Sequence, residues 1–181
     1  MIIRRALANS ALGRCLVFVT SLMLGLSPLP AATPASGTLP ATAGAKLDWD
    51  GFPATLPAGG LAGEAACVDG TNCDVFTIHV AGAQSDWAGK SIVIKITFPL
   101  GDDGDLYIHK DKVDGQAVTS GQNGGPTDGD GVSETASVNP ATSGVGDYVV
   151  HVLYSSFVPT DKYHGTATVQ SASGPDAGRG W

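Results

Sequence analysis

The chain has 181 residues and a formal net charge of −7, and its length suits one domain of ordinary size. Lysine and arginine number only 10 and form no cluster, which excludes nucleic acid and anionic membrane surfaces as partners because both need dense positive charge. Glycine (25) and proline (11) are frequent and most acidic residues are aspartate, a composition typical of many turns and few helices.

The N-terminal residues have the three-part order of a secretory signal peptide. Three arginines stand among the first fourteen residues, an apolar run covers 15–26, and prolines with small residues fill 28–32. The apolar run is shorter than the roughly twenty residues of a transmembrane helix. We therefore predict a removable signal peptide at 1–32 and a secreted protein, extracellular or periplasmic. Its removal takes away the three arginines and no acidic residue, so the formal charge becomes −10.

Two segments of low complexity flank the predicted domain. Residues 33–45 mix alanine, threonine, proline and glycine without charge, and residues 171–181 have a similar texture. We predict a flexible linker at 33–45, a β-sandwich domain at 46–170 and a C-terminal linker or tail at 171–181.

Within the predicted domain, short runs alternate between apolar and polar residues with period two. In chain order the candidate strands are 74–80, 90–98, 106–110, 116–120, 132–138, 147–154 and 163–170. The predicted buried faces are Phe76, Ile78, Val80, Ile92, Ile94, Ile96, Phe98, Tyr148, Val150, Val152, Tyr154, Ala167 and Val169. Seven or eight strands at this spacing predict an all-β fold, a two-sheet antiparallel β-sandwich of jelly-roll type.

Removal of the leader takes Cys15 with it and leaves an even pair of cysteines, Cys67 and Cys73. In a chain bound for an oxidising compartment, an even pair predicts a disulfide. The alternative, a metal pair, needs further ligands nearby, and the intervening residues offer only Asp69 and Asn72.

Acidic residues concentrate in two glycine-rich stretches. The first lies before a predicted strand and contains Asp102, Asp103 and Asp105. The second, the predicted loop 123–134, contains Asp128, Asp130 and Glu134. Clustered carboxylates repel one another unless a cation neutralises them, and Ca²⁺ prefers oxygen ligands on turns. These six residues are candidate calcium ligands, and the alternative is that they are solvated turn residues.

Histidines and nucleophiles offer no recognisable catalytic motif. The four histidines, His79, His109, His151 and His164, are far apart and form no close ligand pair. We interpret them as scattered surface residues and name no zinc site; the alternative is that the strands bring some of them together across a sheet. No G-x-S-x-G motif is present either, so we predict no catalytic residue and no enzymatic activity.

Two aromatic residues are candidates for ligand binding. Trp87 lies in a predicted turn between Asp86 and Gly89, which favours exposure, and Tyr107 follows the first acidic stretch. Exposed aromatic rings can stack on sugars, although such rings also pack in the core or at the rim of a sandwich.

Taken together, residues 47–170 resemble the bacterial pre-peptidase C-terminal domains and related sandwich modules of secreted peptidases and sialidase-like hydrolases. The order of the segments carries the resemblance: 49–51 (WDG), 73–80 (CDVFTIHV), 92–98, 105–108 (DLYI), Ser120, the strand of Glu134, 146–150 (GDYVV) and 163–167 (YHGTA). Gly104 stands where the family usually has a further aspartate before the D-L-Y motif.

The resemblance implies a jelly-roll-like sandwich with a non-catalytic role beside an enzyme, and calcium at the acidic turn in some members. We therefore expect a secreted accessory module that lies beside an extracellular hydrolase and has a binding or stabilising role. Its expected partners are an enzyme domain or a polysaccharide or protein substrate, and its expected cofactor is calcium. A carbohydrate-binding module and a small secreted hydrolase are the alternatives.

Overall fold

Ten β-strands and very little helix make up the described part of the chain. The computed structural model describes residues 32–53, 63–115, 117–127 and 131–171, with the backbone alone for 122–127 and 131. The strands are β1 (Ser36–Leu39), β2 (Lys46–Asp50), β3 (Cys73–Val80), β4 (Lys90–Thr97), β5 (Asp103–Lys110), β6 (Ala117–Ser120), β7 (Gln122–Thr127), β8 (Gly131–Val138), β9 (Gly146–Ser156) and β10 (His164–Ser171). The short helix α1 (Pro140–Ser143) and two 3₁₀ turns, Glu64–Ala66 and Gln84–Trp87, lie between strands.

The strands form two five-stranded sheets. The first sheet has the order β1-β3-β9-β5-β6, and the second has the order β2-β10-β4-β8-β7. The pairings are antiparallel except for that of β1 with β3, which is parallel. Strands β1 to β5 alternate between the two sheets. The prediction of an all-β, two-sheet sandwich is confirmed.

The faces predicted from alternation are the faces that fill the core. Phe76, Ile78 and Val80 are at most 4% exposed, and the four residues predicted for the core in the β4 region, Ile92, Ile94, Ile96 and Phe98, are at most 1% exposed. Removal of this apolar surface from water is the main favourable contribution to folding. Trp49 of β2 stacks on Phe76 of β3 with ring centroids 4.0 Å apart, so the aromatic stack joins the two sheets.

Strand β9 is buried on both faces, which alternation alone does not reveal. Every side chain from Tyr148 to Tyr154 is buried. The inner face packs in the core, and the outer face lies under the cover segment, defined here as residues 63–72. The backbone N–H of Tyr154 donates to the carbonyl of Asn72 at 3.0 Å, which ties this segment to β9.

The predicted flexible linker at 33–45 is wrong in part, because β1 lies within it. This strand pairs in parallel with β3 and buries Leu39 completely. The N–H of Thr33 also donates to the carbonyl of Asp50 at 2.8 Å. Alternation could not reveal β1, because this four-residue strand has a single large apolar side chain.

The predicted acidic loop at 123–134 is also wrong in part. It contains β7 and the first half of β8, which pair with Asn123 opposite Glu134. Glycine and proline hide β7 in the sequence, and β7 tolerates them because it is an edge strand of the second sheet. The signal peptide before Ala32 and the tail beyond Ser171 lie outside the described residues.

A buried carboxylate, Asp74, links the sheets from inside. Its Oδ2 accepts hydrogen bonds from the N–H of Phe52 at 3.2 Å and from the hydroxyl of Tyr163 at 2.9 Å, and its Oδ1 accepts from the N–H of Val75 at 2.8 Å. Tyr163 leads into β10 and in turn accepts from the indole N–H of Trp49. Burial raises the pKa of Asp74 from 3.8 to about 6, against the opposing effect of these hydrogen bonds.

This shift predicts a pH dependence of stability. Because the folded pKa lies above the unfolded one, the contribution of this carboxyl is fully present below pH 3.8 and is lost as the pH rises to about 6. Between pH 4 and pH 7, wild type should therefore lose about 2.4 kcal/mol more unfolding free energy than Asp74→Asn, at about 1.4 kcal/mol per pKa unit. Urea denaturation at the two pH values measures the difference.

The matched control is Asp111→Asn. Asp111 has an exposed carboxylate and a positive φ of 68°, a conformation that asparagine tolerates, so this variant should follow wild type. Equal pH dependence in wild type and Asp74→Asn would contradict the assigned shift.

Candidate functional site

The structure separates the first acidic stretch into two environments. Asp102, just before β5, is buried, and its Oδ1 accepts from the N–H of Val158 at 2.9 Å. Its Oδ2 is buried and has no hydrogen-bond partner among the described residues. Burial raises the pKa of Asp102, and the negative charge of Asp161 adds to the effect.

Asp103 and Asp105 of β5 instead lie near Glu134 of β8. Glu134 is only 2% exposed, and burial raises its pKa from 4.5 to about 7, with further contributions from the charges of Asp105 and Asp103. The hydroxyl of Ser155 donates to Asp105 at 3.0 Å. We call Asp103, Asp105 and Glu134 the acidic edge.

A glycine leaves room for the Glu134 carboxylate. A Cβ at Gly121 would lie 2.3 Å from Oε2 of Glu134, well inside van der Waals contact. Among the described side chains, however, no three of Asp102, Asp103, Asp105 and Glu134 place ligand atoms within 4.8 Å of one another. The two remaining candidate calcium ligands, Asp128 and Asp130, lie outside the described residues.

The expected exposure of Trp87 is wrong. Trp87 is fully buried at the end of its 3₁₀ turn, and its indole N–H donates to the carbonyl of Ala81 at 3.0 Å. The turn folds back on the sandwich and places the large ring inward, so the ring offers no face to a sugar. Tyr107 is half-buried on β5, and burial raises its pKa with smaller contributions from neighbouring carboxylates.

A second cluster, which the sequence did not predict, lies on the outer face of the first sheet. His109 of β5 and His151 of β9 are buried, with exposed fractions of 2% and 3%, and their ring centroids lie 5.9 Å apart. The strand register explains the distance: Tyr107 pairs with His151, and His109 pairs with Val149. The two histidines are therefore diagonal neighbours on adjacent strands.

The cover segment brings two carboxylates to these histidines. Oε1 of Glu64 lies 2.6 Å from Nε2 of His109 and 2.6 Å from Nδ1 of His151. Oδ1 of Asp69 lies 3.0 Å from Nε2 of His151. We call Glu64, Asp69, His109 and His151 the histidine cluster.

The predicted disulfide holds the cover segment in place. Cys67 is bonded to Cys73, and their Cα atoms lie 5.7 Å apart, so the prediction of this pair is confirmed. Cys73 opens β3, next to β9, and Sγ of Cys67 lies 2.9 Å from Nε2 of His151. The covalent bond thus fixes the middle of the segment above the histidines.

The second nitrogen of each ring meets a group that can only accept. Nδ1 of His109 lies 2.7 Å from the carbonyl oxygen of Gly115, so this nitrogen carries a proton and donates. Nε2 of His151 faces Asp69 and a disulfide sulfur, so it also carries a proton. The remaining nitrogens, Nε2 of His109 and Nδ1 of His151, both point at Glu64 Oε1.

A cavity of about 420 Å³ opens over the histidine cluster. Its described lining consists of Glu64, Ala65, Cys67, Asp69, His109, Val113, Asp114, Gly115 and His151. The lining combines two imidazoles with three carboxylates, and this chemistry suits a cation or a ligand that donates hydrogen bonds.

The interpretation of all four histidines as surface residues is therefore correct for two and wrong for two. His79 and His164 are substantially exposed and pair with Asp147 and Asp50 at 2.7 and 2.9 Å. His109 and His151 also stand in alternating strands, but on the face that alternation assigns to solvent. Only the fold of the cover segment makes that face interior.

Comparison with solved structures finds several matching chains, one of which is described here. The chain is similar to the pre-peptidase C-terminal domain of a collagenase from Bacillus anthracis, with 15% sequence identity, a TM-score of 0.37, and coverage of 75% of this chain and 94% of that one. The matched domain belongs to the family that the sequence resembles. No family model matches the chain, and no curated protein sequence matches it.

The described residues contain no helix with the length and apolarity needed to cross a membrane.

The role of the disulfide in holding the cover segment is testable. Replacing both Cys67 and Cys73 by serine should lower the free energy of unfolding by about 2 kcal/mol. This is the loop-closure entropy expected for a disulfide between cysteines with a sequence separation of 6. Urea denaturation measures the loss. Reductant should lower the stability of wild type similarly and leave the double variant unchanged. An identical response of both proteins to reductant would contradict this role.

Proposed function

We propose that this chain is an exported, non-catalytic accessory module that acts beside an extracellular hydrolase and binds calcium at its acidic edge. The proposal of calcium binding rests on the burial of the Glu134 carboxylate and on its raised pKa. A carboxylate that is buried and flanked by two further carboxylates is unfavourable unless a cation compensates it. Ca²⁺ accepts six to eight oxygen ligands in flexible geometries, which suits carboxylates that come from two strands of different sheets, β5 and β8.

The composition of the cavity lining supports a binding role over hydrolysis by a hydroxyl, amine or thiol nucleophile. Such a nucleophile acts within hydrogen-bond reach of a base. The described residues that line the cavity include no serine, threonine or lysine, and Cys67 is held in a disulfide. The burial of Trp87 removes the main support for the carbohydrate-binding alternative.

The N-terminal strand supports export with cleavage close to Ala32. Ala32 is 3% exposed, and the residue after it is hydrogen-bonded to Asp50 in the backbone. A mature chain that begins far beyond Ala32 would lose β1 and uncover Leu39.

Export predicts a definite N-terminus. When the full chain is expressed in a bacterial host, the form recovered from periplasm or medium should begin within a few residues of Ala32 and contain no free thiol. Intact-mass analysis with and without reductant measures the position of the N-terminus and the number of free thiols. Retention of Met1 would contradict export by a cleaved leader, and hydrolysis of a peptide or glycan panel by this form, with Ca²⁺ or Zn²⁺ added, would contradict the non-catalytic role.

Calcium binding predicts two opposite effects of Glu134→Gln. Without calcium the variant should melt at a higher temperature than wild type, because a buried, repelled charge is gone. With millimolar Ca²⁺, wild type should gain stability by mass action and the variant should gain much less. Differential scanning calorimetry and titration calorimetry measure the two effects, and Mg²⁺ should give a smaller shift because it tolerates irregular oxygen cages poorly.

Asp147→Asn is the control for calcium binding, because Asp147 is exposed and paired with His79. It should leave the calcium response unchanged. A melting temperature that does not respond to Ca²⁺ in wild type, with no heat of binding, would contradict the calcium site.

A further inference from the structure

We propose that the histidine cluster is a binding site for a divalent transition metal of the zinc class, with Glu64, His109 and His151 as ligands. One ligand atom from each of the three residues lies within 4.8 Å of the others. The two imidazoles are almost fully buried. The site is separate from the acidic edge, and its existence does not depend on the proposed function.

The hydrogen bonds of the two rings orient their free nitrogens for coordination. Gly115 accepts from Nδ1–H of His109, and Asp69 accepts from Nε2–H of His151. In the neutral rings, the lone pairs on the two remaining nitrogens then converge on the carboxylate oxygen of Glu64. Metal-binding histidines characteristically hold their other N–H against a carbonyl or a carboxylate in this way.

Three acceptors in contact need positive charge between them. Protons on both rings would supply it, but two imidazolium ions would then be buried with ring centroids 5.9 Å apart, and like charges repel strongly in a low-dielectric environment. One divalent cation satisfies all three acceptors at once. It also balances the charges of Glu64 and Asp69 while both rings stay neutral.

The geometry admits a metal after a small opening of the cluster. Ligand atoms at zinc distances of about 2.0–2.1 Å in tetrahedral geometry lie roughly 3.3 Å apart, whereas the present contacts to Glu64 are 2.6 Å. Glu64 is the most exposed of the three ligands, with 28% of its side chain accessible, so its carboxylate has room to withdraw toward the cavity. A fourth coordination position then faces that cavity.

The donor set determines the class of metal. Two imidazole nitrogens and one carboxylate oxygen suit zinc and its neighbours, whereas calcium and magnesium prefer ligand sets made wholly of oxygen. Cys67, Cys73 and His151 also lie close enough to form a ligand set, but the two sulfurs are bonded to each other. In the oxidised protein this second set cannot bind a metal through its thiols, so metal binding at the cluster reports on Glu64, His109 and His151.

The experiment titrates the protein with its Cys67–Cys73 disulfide formed, freed of metal with chelator, with Zn²⁺ by calorimetry and with Co²⁺ by visible absorption. Wild type should bind one equivalent of Zn²⁺, and Co²⁺ should show the intense bands of four-coordinate geometry. Asp69→Asn should weaken zinc binding by about 10- to 100-fold, the effect of losing an orienting partner. Glu64→Gln and His109→Gln should weaken it further. Ca²⁺ should not compete.

The exposed histidines provide matched controls. His79→Ala and His164→Ala each remove an imidazole that is paired with a carboxylate on the surface, and neither should change the affinity for zinc or the cobalt spectrum. Circular dichroism checks the fold of every variant. If a variant of a buried histidine unfolds, Glu64→Gln still tests the site. Absence of zinc binding, unchanged binding in folded Glu64→Gln, or loss of binding in His79→Ala or His164→Ala would overturn the proposal.

Discussion

The start of β3 is the constraint on which the rest of the structure depends. Consecutive residues of a strand point to opposite faces, so Asp74 turns inward and Cys73 turns outward, and both are fully buried. Asp74 ties the first sheet to Tyr163, which leads into the second sheet. Cys73 ties the cover segment to the outer face through its disulfide with Cys67. One dipeptide thus fixes both the packing of the sandwich and the cover over its outer face.

The cover converts an ordinary outer face into a site. Without residues 63–72, His109 and His151 would be solvated imidazoles on a strand pair, like His79 and His164. With it, they are buried against Glu64 and Asp69, where electrostatic interactions are much stronger than in water. In an acidic chain of net charge −7, both the acidic edge and the histidine cluster place carboxylates where a cation is favourable.

The sequence predicted the sandwich because burial of one sheet face leaves a period-two pattern. The residues of β3 and β4 show it directly, and cysteine parity predicted the disulfide. The histidine cluster was beyond this reasoning, because the separation of His109 and His151 depends on the register of β5 with β9 and their burial depends on the cover segment. Strand β1 was missed because its four residues contain a single large apolar side chain. The exposure of Trp87 was predicted wrongly because the residues of a turn indicate where the chain reverses and do not indicate which way an aromatic ring points.

The central claim is that the cover segment holds two buried histidines with their free nitrogens directed at one carboxylate oxygen. Proton–nitrogen correlation NMR of the histidine rings tests it most directly, on metal-free oxidised protein at a pH above the ordinary titration range of histidine. Nδ1 of His109 and Nε2 of His151 should each carry a proton that exchanges slowly, because each faces a group that accepts. A deprotonated nitrogen at either position, or exchange averaging at either ring, would contradict the structure of the site.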